Sequence, residues 1–414
     1  MRIIKSLVAV SAIAATATAL AVVPAMADPV GAKYQAVTPN SWDVVTAGSA
    51  TTQYVVDQLA YNYDKGLSVR HVKSTPSNPY IYSWDAVNPK APGSTVVQNI
   101  KTKRGCGLEA RPGSSGSGIK ALAGFGRVTY TYKGKKHSAS CVDFARSSRP
   151  KAGSDAPTAD FVVLGQDAVS YAVTTPSNTP HGLTQADLKG IFSCTAGFTN
   201  WDDFGGPNAT IDPVIPETSS GTESFFYGVL GLPTSGETEP ACGTLAGVTT
   251  NLFEENEGVS ADFYNSNNKA DGVNKNIITL FSIGSYIDQS VHGKTCGGKP
   301  KKGQNEFGCN QVGVLHLGAI APAKGAAVAP TAKVKGAVVI NPAFPGIWKR
   351  FLFSVVTAVP GSNPIPPYLR RFLDPYKKKH AKSYVNGYFC SPGQQSTLEN
   401  YGYLPSKACG LVIP

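Results

Sequence analysis

Three short stretches combine hydroxyl side chains with glycine immediately before residues patterned as helix: Gly48-Ser49-Ala50-Thr51-Thr52, Gly113-Ser114-Ser115-Gly116 and Ser219-Ser220-Gly221-Thr222. A helix N-terminus leaves backbone N–H groups unpaired, and the helix dipole favours negative charge there. Serine and threonine add donors, and glycine lets an anion approach the backbone. Each stretch therefore has the makings of one wall of an oxyanion cradle. One such turn is ordinary capping; three in a single chain point to convergence. Dipoles of ~0.3–1 kcal/mol each and charge-assisted hydrogen bonds of ~1.5–3 kcal/mol each reach the ~8 kcal/mol of micromolar binding only when several turns and a cation act together.

The elements that position these turns alternate between strand and helix, which argues for an α/β chain. Residues 49–65 read as a helix with Tyr54, Val55, Leu59 and Tyr63 on one face, and residues 67–73 as a strand. Residues 74–104, rich in Pro, Ser and Asn, read as a long loop. A short strand at 142–145 ends in Arg146-Ser147-Ser148-Arg149-Pro150. The apolar run 160–173 is two strands in succession or one strand crossing between lobes, and 277–287 is a second crossing candidate. Between them lie a helix over 183–192 with Thr184 as its N-cap, a strand at 211–215 and a helix opening at Glu223. Later strands are expected in 312–321 and 337–340, an apolar segment at 351–359 and a linker at 360–367.

At 414 residues the chain has room for two lobes around a cleft. Arg2 and Lys5, the apolar run 7–23 and Ala25-Met26-Ala27 form a secretory signal peptide, with cleavage expected before Asp28. Its removal lowers the net charge from +11 to +9, a balance suited to anionic ligands. The basic clusters at 299–302 and 376–380 read as solvated loops, and no nucleic-acid-binding signature accompanies them. Outside the leader, no apolar stretch is long enough for a transmembrane segment. All eight cysteines lie beyond the leader, and locality favours four sequential bridges: Cys106–Cys141, Cys194–Cys242, Cys296–Cys309 and Cys390–Cys409. Zinc is disfavoured, because neither Cys-x-x-Cys nor His-x-x-x-His spacing occurs.

In order along residues 44–226, the motifs resemble those of the phosphate-binding proteins of ABC importers. Ser49-Ala50-Thr51-Thr52 stands where that family reads G-A-T-F, and Gly113-Ser114-Ser115-Gly116-Ser117 where it reads G-S-S-G-G. Asp143 to Ser148 stand for D-F-G-A-S-D, and Pro216 to Thr222 for R-x-D-G-S-G-T. Leu188, Ile191, Phe192, Gly197 and the Trp201 tag complete the set. The resemblance implies a type II periplasmic-binding-protein fold, with two lobes joined by two crossing strands. Lobe 1 would comprise 28–170 and 285–414, including a C-terminal extension, and lobe 2 residues 171–284. It also implies inorganic phosphate or a similar oxyanion between the lobes, held by Thr51, Thr52, Ser114, Ser115, Ser220, Gly221 and Thr222, and an ABC permease as partner.

Two departures mark this chain. Ser148 replaces the family's proton-accepting Asp, and Pro216 replaces its Arg. Arg146, directly after the 143–145 strand, is the expected substitute cation; Arg111 is a further candidate, and Arg149 is expected on a surface loop. Glu217 and Glu223, flanking the third turn, are expected to face solvent. The reading is a non-catalytic monomeric binder, exported to the periplasm or the medium, with no cofactor, metal or nucleic-acid partner. Two rivals stand beside it: a surface or cell-wall interaction protein on the same fold, or a binder of a different ligand. A hydrolase is disfavoured because no G-x-S-x-G elbow lies in a strand–turn–helix setting.

Overall fold

The computed structural model describes residues 28–30, 38–88, 98–180, 182–216, 219–233, 240–243, 255, 256, 258, 274–358, 364–377 and 387–413. The signal segment 1–27, His181, Glu217 and residues 378–380 of the second basic cluster lie outside the described residues.

The chain is mixed α/β, organised on a nine-stranded sheet. Its strands are β1 (Val44–Gly48), β2 (Ile81–Ser83), β3 (Phe144–Ser147), β4 (Ala159–Thr174), β5 (Asp212–Pro213), β6 (Ile277–Ser282), β7 (Leu315–Leu317), β8 (Lys349–Thr357) and β9 (Val412–Ile413). The order is β5-β6-β4-β8-β3-β1-β2, with β7 and β9 also pairing with β4. The helices that matter for the site are α1 (Gln53–Val69), α2 (Ser115–Gly124), α3 (Gln185–Phe192), α4 (Gly221–Leu230), α5 (Ile283–Ile287) and α6 (Pro392–Asn400).

The run 160–173 is one strand. All of β4 except Asp160 and Gln166 is buried, which explains why its sequence shows no polar alternation: both faces are covered. Residues 159–168 pair antiparallel with β8, and 169–173 pair antiparallel with β6. At Gly165 a Cβ would meet Leu398 Cδ2 at 2.2 Å and Leu404 O at 3.1 Å, so only glycine lets the C-terminal tail cross here.

Elsewhere the elements depart from their expected bounds. The strand expected at 67–73 does not form, because Leu67 falls one turn after Tyr63 on the buried face of α1, which continues to Val69. The run 277–287 breaks at Ser282, whose hydroxyl accepts from Ser285 N at 3.0 Å and caps α5. Thr184 caps α3 as expected, in a capping box with Asp187.

Two large apolar clusters flank different stretches of the sheet. The first joins Val55, Leu59, Phe144, Val162, Leu352 and Phe372. The second joins Val169, Leu188, Trp201, Phe226, Ile278 and Trp348. Ile320, Ile340 and Phe344 also belong to the second cluster, so much of 315–348 packs with residues 168–230 rather than with the first cluster. The four expected bridges form between the expected partners. Among the described residues no helix is long and apolar enough to cross a membrane.

Candidate functional site

The first turn follows β1, the second opens α2 and the third opens α4. Gly48 has φ +116°, and a Cβ there would meet Arg146 O at 2.7 Å and Gly118 Cα at 3.2 Å. Glycine thus lets the first turn lie against β3 and α2. Ser114 caps α2, its Oγ accepting from Ser117 N at 3.2 Å. Ser220 caps α4, its Oγ accepting from Thr222 N at 3.2 Å and Glu223 N at 3.1 Å.

All three turns meet. Gly116 N donates to Ser219 O at 3.1 Å, and the Ser114 and Ser219 hydroxyls are 2.7 Å apart. Ser148 N donates to Ser115 Oγ at 3.0 Å, and Ser49 Oγ donates to Ser148 Oγ at 3.1 Å. The Thr51 and Thr222 hydroxyls are 3.0 Å apart. A Cβ on Gly221 would meet Ser115 Oγ at 2.2 Å and Ser148 Oγ at 2.5 Å, so the third turn reaches the other two through glycine. Thr52 is buried beside Thr51, with no hydrogen-bond partner for its hydroxyl among the described residues.

A carboxylate sits at the centre. Glu255 is 1% exposed. Its Oε1 accepts from the hydroxyls of Thr51 and Thr222, the latter at 2.6 Å, and from Asn256 Nδ2 at 3.3 Å. Its Oε2 accepts from the Ser220 hydroxyl and, at 3.4 Å, from Thr222 N. Asn256 also donates to Thr51 Oγ1 at 3.1 Å and is fixed by Ser282 N, which donates to its Oδ1 at 2.8 Å.

The cation reaching this cluster comes from β8. Arg350 Nη2 donates to Thr222 Oγ1 at 2.9 Å, and Nη1 to Gly221 O at 3.2 Å. Its counter-charge is Asp167, directly opposite in the β4–β8 register, at 2.8 Å from Nη2 and 3.1 Å from Nε. Asp167 in turn accepts from Ser282 Oγ at 2.9 Å and Gly284 N at 3.0 Å. With donors on both carboxylate oxygens, this buried pair is held in one geometry. Tyr403 donates to Thr51 O; burial pushes its hydroxyl far above the ordinary tyrosine range, which keeps it a donor.

The other arginines lie elsewhere. Arg146 does not join the hydroxyls: its guanidinium donates to Gly48 O at 2.8 Å, Ser49 O at 3.3 Å and Ser83 Oγ at 2.7 Å, and faces Asp57, Asp85 and Asp28. A side chain in a strand points to one face only, and this one points beneath the first turn. Arg111 pairs with Asp28 at 2.5 Å. Arg149, expected on a surface loop, is 7% exposed and held by both Asp155 oxygens at 2.6 and 2.8 Å. Glu223, expected to face solvent, is 1% exposed.

Sequence reasoning missed Arg350, Asp167, Glu255 and Asn256. For the first two a signal existed: a charge within a largely apolar strand must find a partner when buried. Glu255 and Asn256 carry no pattern of their own.

Residues 35–303 match the family model described as a PBP superfamily domain. Among solved structures, the chain is similar to an ABC-type phosphate transport receptor from Vibrio cholerae, at 17% identity over 87% of this chain and 99% of that one, with a TM-score of 0.46. It is also similar to PstS from Borrelia burgdorferi, at 16% identity over 87% and 98% of the two chains, with a TM-score of 0.39. No curated protein matches the chain in sequence.

Proposed function

The chain belongs to the PBP superfamily, and from that premise we propose that it is an exported solute-binding protein that holds a small oxyanion, phosphate first, where its three hydroxyl-bearing turns meet. The observation carrying this reading is the convergence of the Thr51, Ser220 and Thr222 hydroxyls and the Thr222 amide on one carboxylate position, with Arg350 one hydrogen bond behind. Hydroxyl and amide donors suit a tetrahedral oxyanion, and Arg350 supplies positive potential through Thr222 without direct contact.

In this reading β4 and β6 are the two crossing strands, and the two apolar clusters are the cores of two lobes that close on the ligand by a hinge. Residues 315–348 then go with the second lobe. The four disulfides fit an oxidising compartment. Residues 1–27 serve as the leader, an ABC permease is the partner, and no residue acts as a catalyst.

Calorimetric titration of ligand-stripped protein with phosphate, and with sulfate as control, tests the reading. One site of micromolar affinity is expected for phosphate. Thr51→Val combined with Thr222→Val should weaken binding about a hundredfold or more, from two lost charge-assisted bonds of ~1.5–3 kcal/mol each, while the melting temperature shows the fold intact. Full phosphate affinity in that double variant would defeat the cradle.

A further inference from the structure

We infer that Glu255 is an internal anion that occupies the cradle in the absence of ligand and competes with it for the same donors. The inference rests on the anion-cradle reading above and adds what that reading leaves unassigned: the identity of the group the ligand must replace. A carboxylate presents two oxygens on one carbon, as an oxyanion presents two on its central atom, and here both are taken. Oε1 accepts from Thr51, Thr222 and Asn256, and Oε2 from Ser220 and the Thr222 amide. Apart from Asn256, these donors come from the first turn and from the third, which is itself the N-terminus of α4, so the carboxylate lies between two turns rather than against one helix end.

The arrangement is built to hold charge. Glu255 is 1% exposed, and a carboxylate so buried needs several donors to remain. Its neighbour Asn256 is anchored on two sides, by Ser282 N on its Oδ1 and by Gln289 Nε2 on its backbone oxygen at 2.8 Å. Arg350 donates to Thr222 Oγ1, which donates to Glu255, so the guanidinium polarises the hydroxyl toward the carboxylate.

Two consequences follow. The donors stay paired when no ligand is bound, so the empty protein keeps the turns together without exposing unsatisfied hydroxyls. The apparent ligand affinity is also reduced by the fraction of molecules in which Glu255 has left the site. Glu255 thereby sets a threshold, admitting an anion only if it engages the cradle better than a tethered carboxylate does.

The experiment pairs Glu255→Ala with Glu255→Gln, the second keeping side-chain volume should the first fold poorly. Melting temperature is followed with added formate, whose carboxylate stands in for the missing one, and phosphate affinity is measured by calorimetry. Formate should raise the melting temperature of Glu255→Ala saturably and leave the wild type unchanged, and both variants should bind phosphate about tenfold or more tighter than wild type. Formate rescue with no phosphate heat in any form supports the internal anion and removes phosphate as the ligand. Equal phosphate affinity in all three proteins without formate rescue overturns the internal anion and leaves the phosphate reading standing.

Discussion

Two buried polar clusters lie on opposite sides of the same backbone. Ser49 divides them: its hydroxyl donates to Ser148 in the cradle, while its carbonyl accepts from Arg146 in a second cluster beneath. In the cradle the Glu255 carboxylate is surrounded by hydroxyl and amide donors, and Arg350 has Asp167 to itself. Beneath the turn, Asp28, Asp57 and Asp85 face two guanidiniums, those of Arg146 and Arg111. Asp57 Oδ1 and Asp85 Oδ1 find no hydrogen-bond partner among the described residues. Burial raises all three carboxyl pKa values, that of Asp57 to about 6. The contrast lies in the surroundings. Beneath the turn burial favours the protonated carboxyl, and at Asp57 and Asp85 neighbouring carboxylates add to that push, whereas in the cradle donors meet both oxygens of the carboxylate.

The sharpest way to break this contrast is to remove one arginine from each side. Arg350→Met leaves Asp167 buried without its partner and should cost ~3–5 kcal/mol in urea denaturation at about pH 8. Arg146→Met should cost less at about pH 5 than at about pH 8, because its carboxylates can take up protons in its place. A pH-independent loss for Arg146→Met would erase the proposed distinction.

A smaller effect is expected at Asp57. Its carboxyl has an ordinary value of 3.8 and a folded value of about 6, so the folded protein holds a proton that the unfolded chain releases. That contribution to stability is present at low pH and is lost as pH rises from about 4 through about 6. Asp57→Asn should therefore gain on the wild type over that window, reaching about 2–3 kcal/mol above it. A flat difference across the same window would show that Asp57 is ionised throughout. Smallest of all, Ser148→Ala removes a hydroxyl bonded to Ser49 Oγ and Ser115 Oγ and should cost about 1 kcal/mol in the same denaturation assay. A loss as large as that for Arg350→Met would mean that the hydroxyls, rather than the ion pair, hold the turns together.

How much of this was legible beforehand differs between the backbone and the charges. The three Ser/Thr/Gly turns were readable because capping and close approach are local demands that only hydroxyl residues and glycine satisfy. The bridges were readable because their partners are near in sequence. The cation was misplaced: Arg146 adjoins the motif, yet strand alternation turns it beneath the first turn. The C-terminal region, which had no recognisable motif, supplies β8 at the middle of the sheet and with it Arg350.

The sequence by itself determined where the backbone would bare its N–H groups, which residues would be oxidised in pairs, and that the apolar run 160–173 would be strand. Those are properties of neighbours a few residues apart or of uniform composition. Only the tertiary structure decided which charges share a site. Arg350 and Asp167 lie 183 residues apart, and Thr51 and Glu255 204 apart. Their meeting depends on strand register and on which face each side chain takes. A charged side chain buried far from its partner in sequence shows that it needs a counter-group without showing which one.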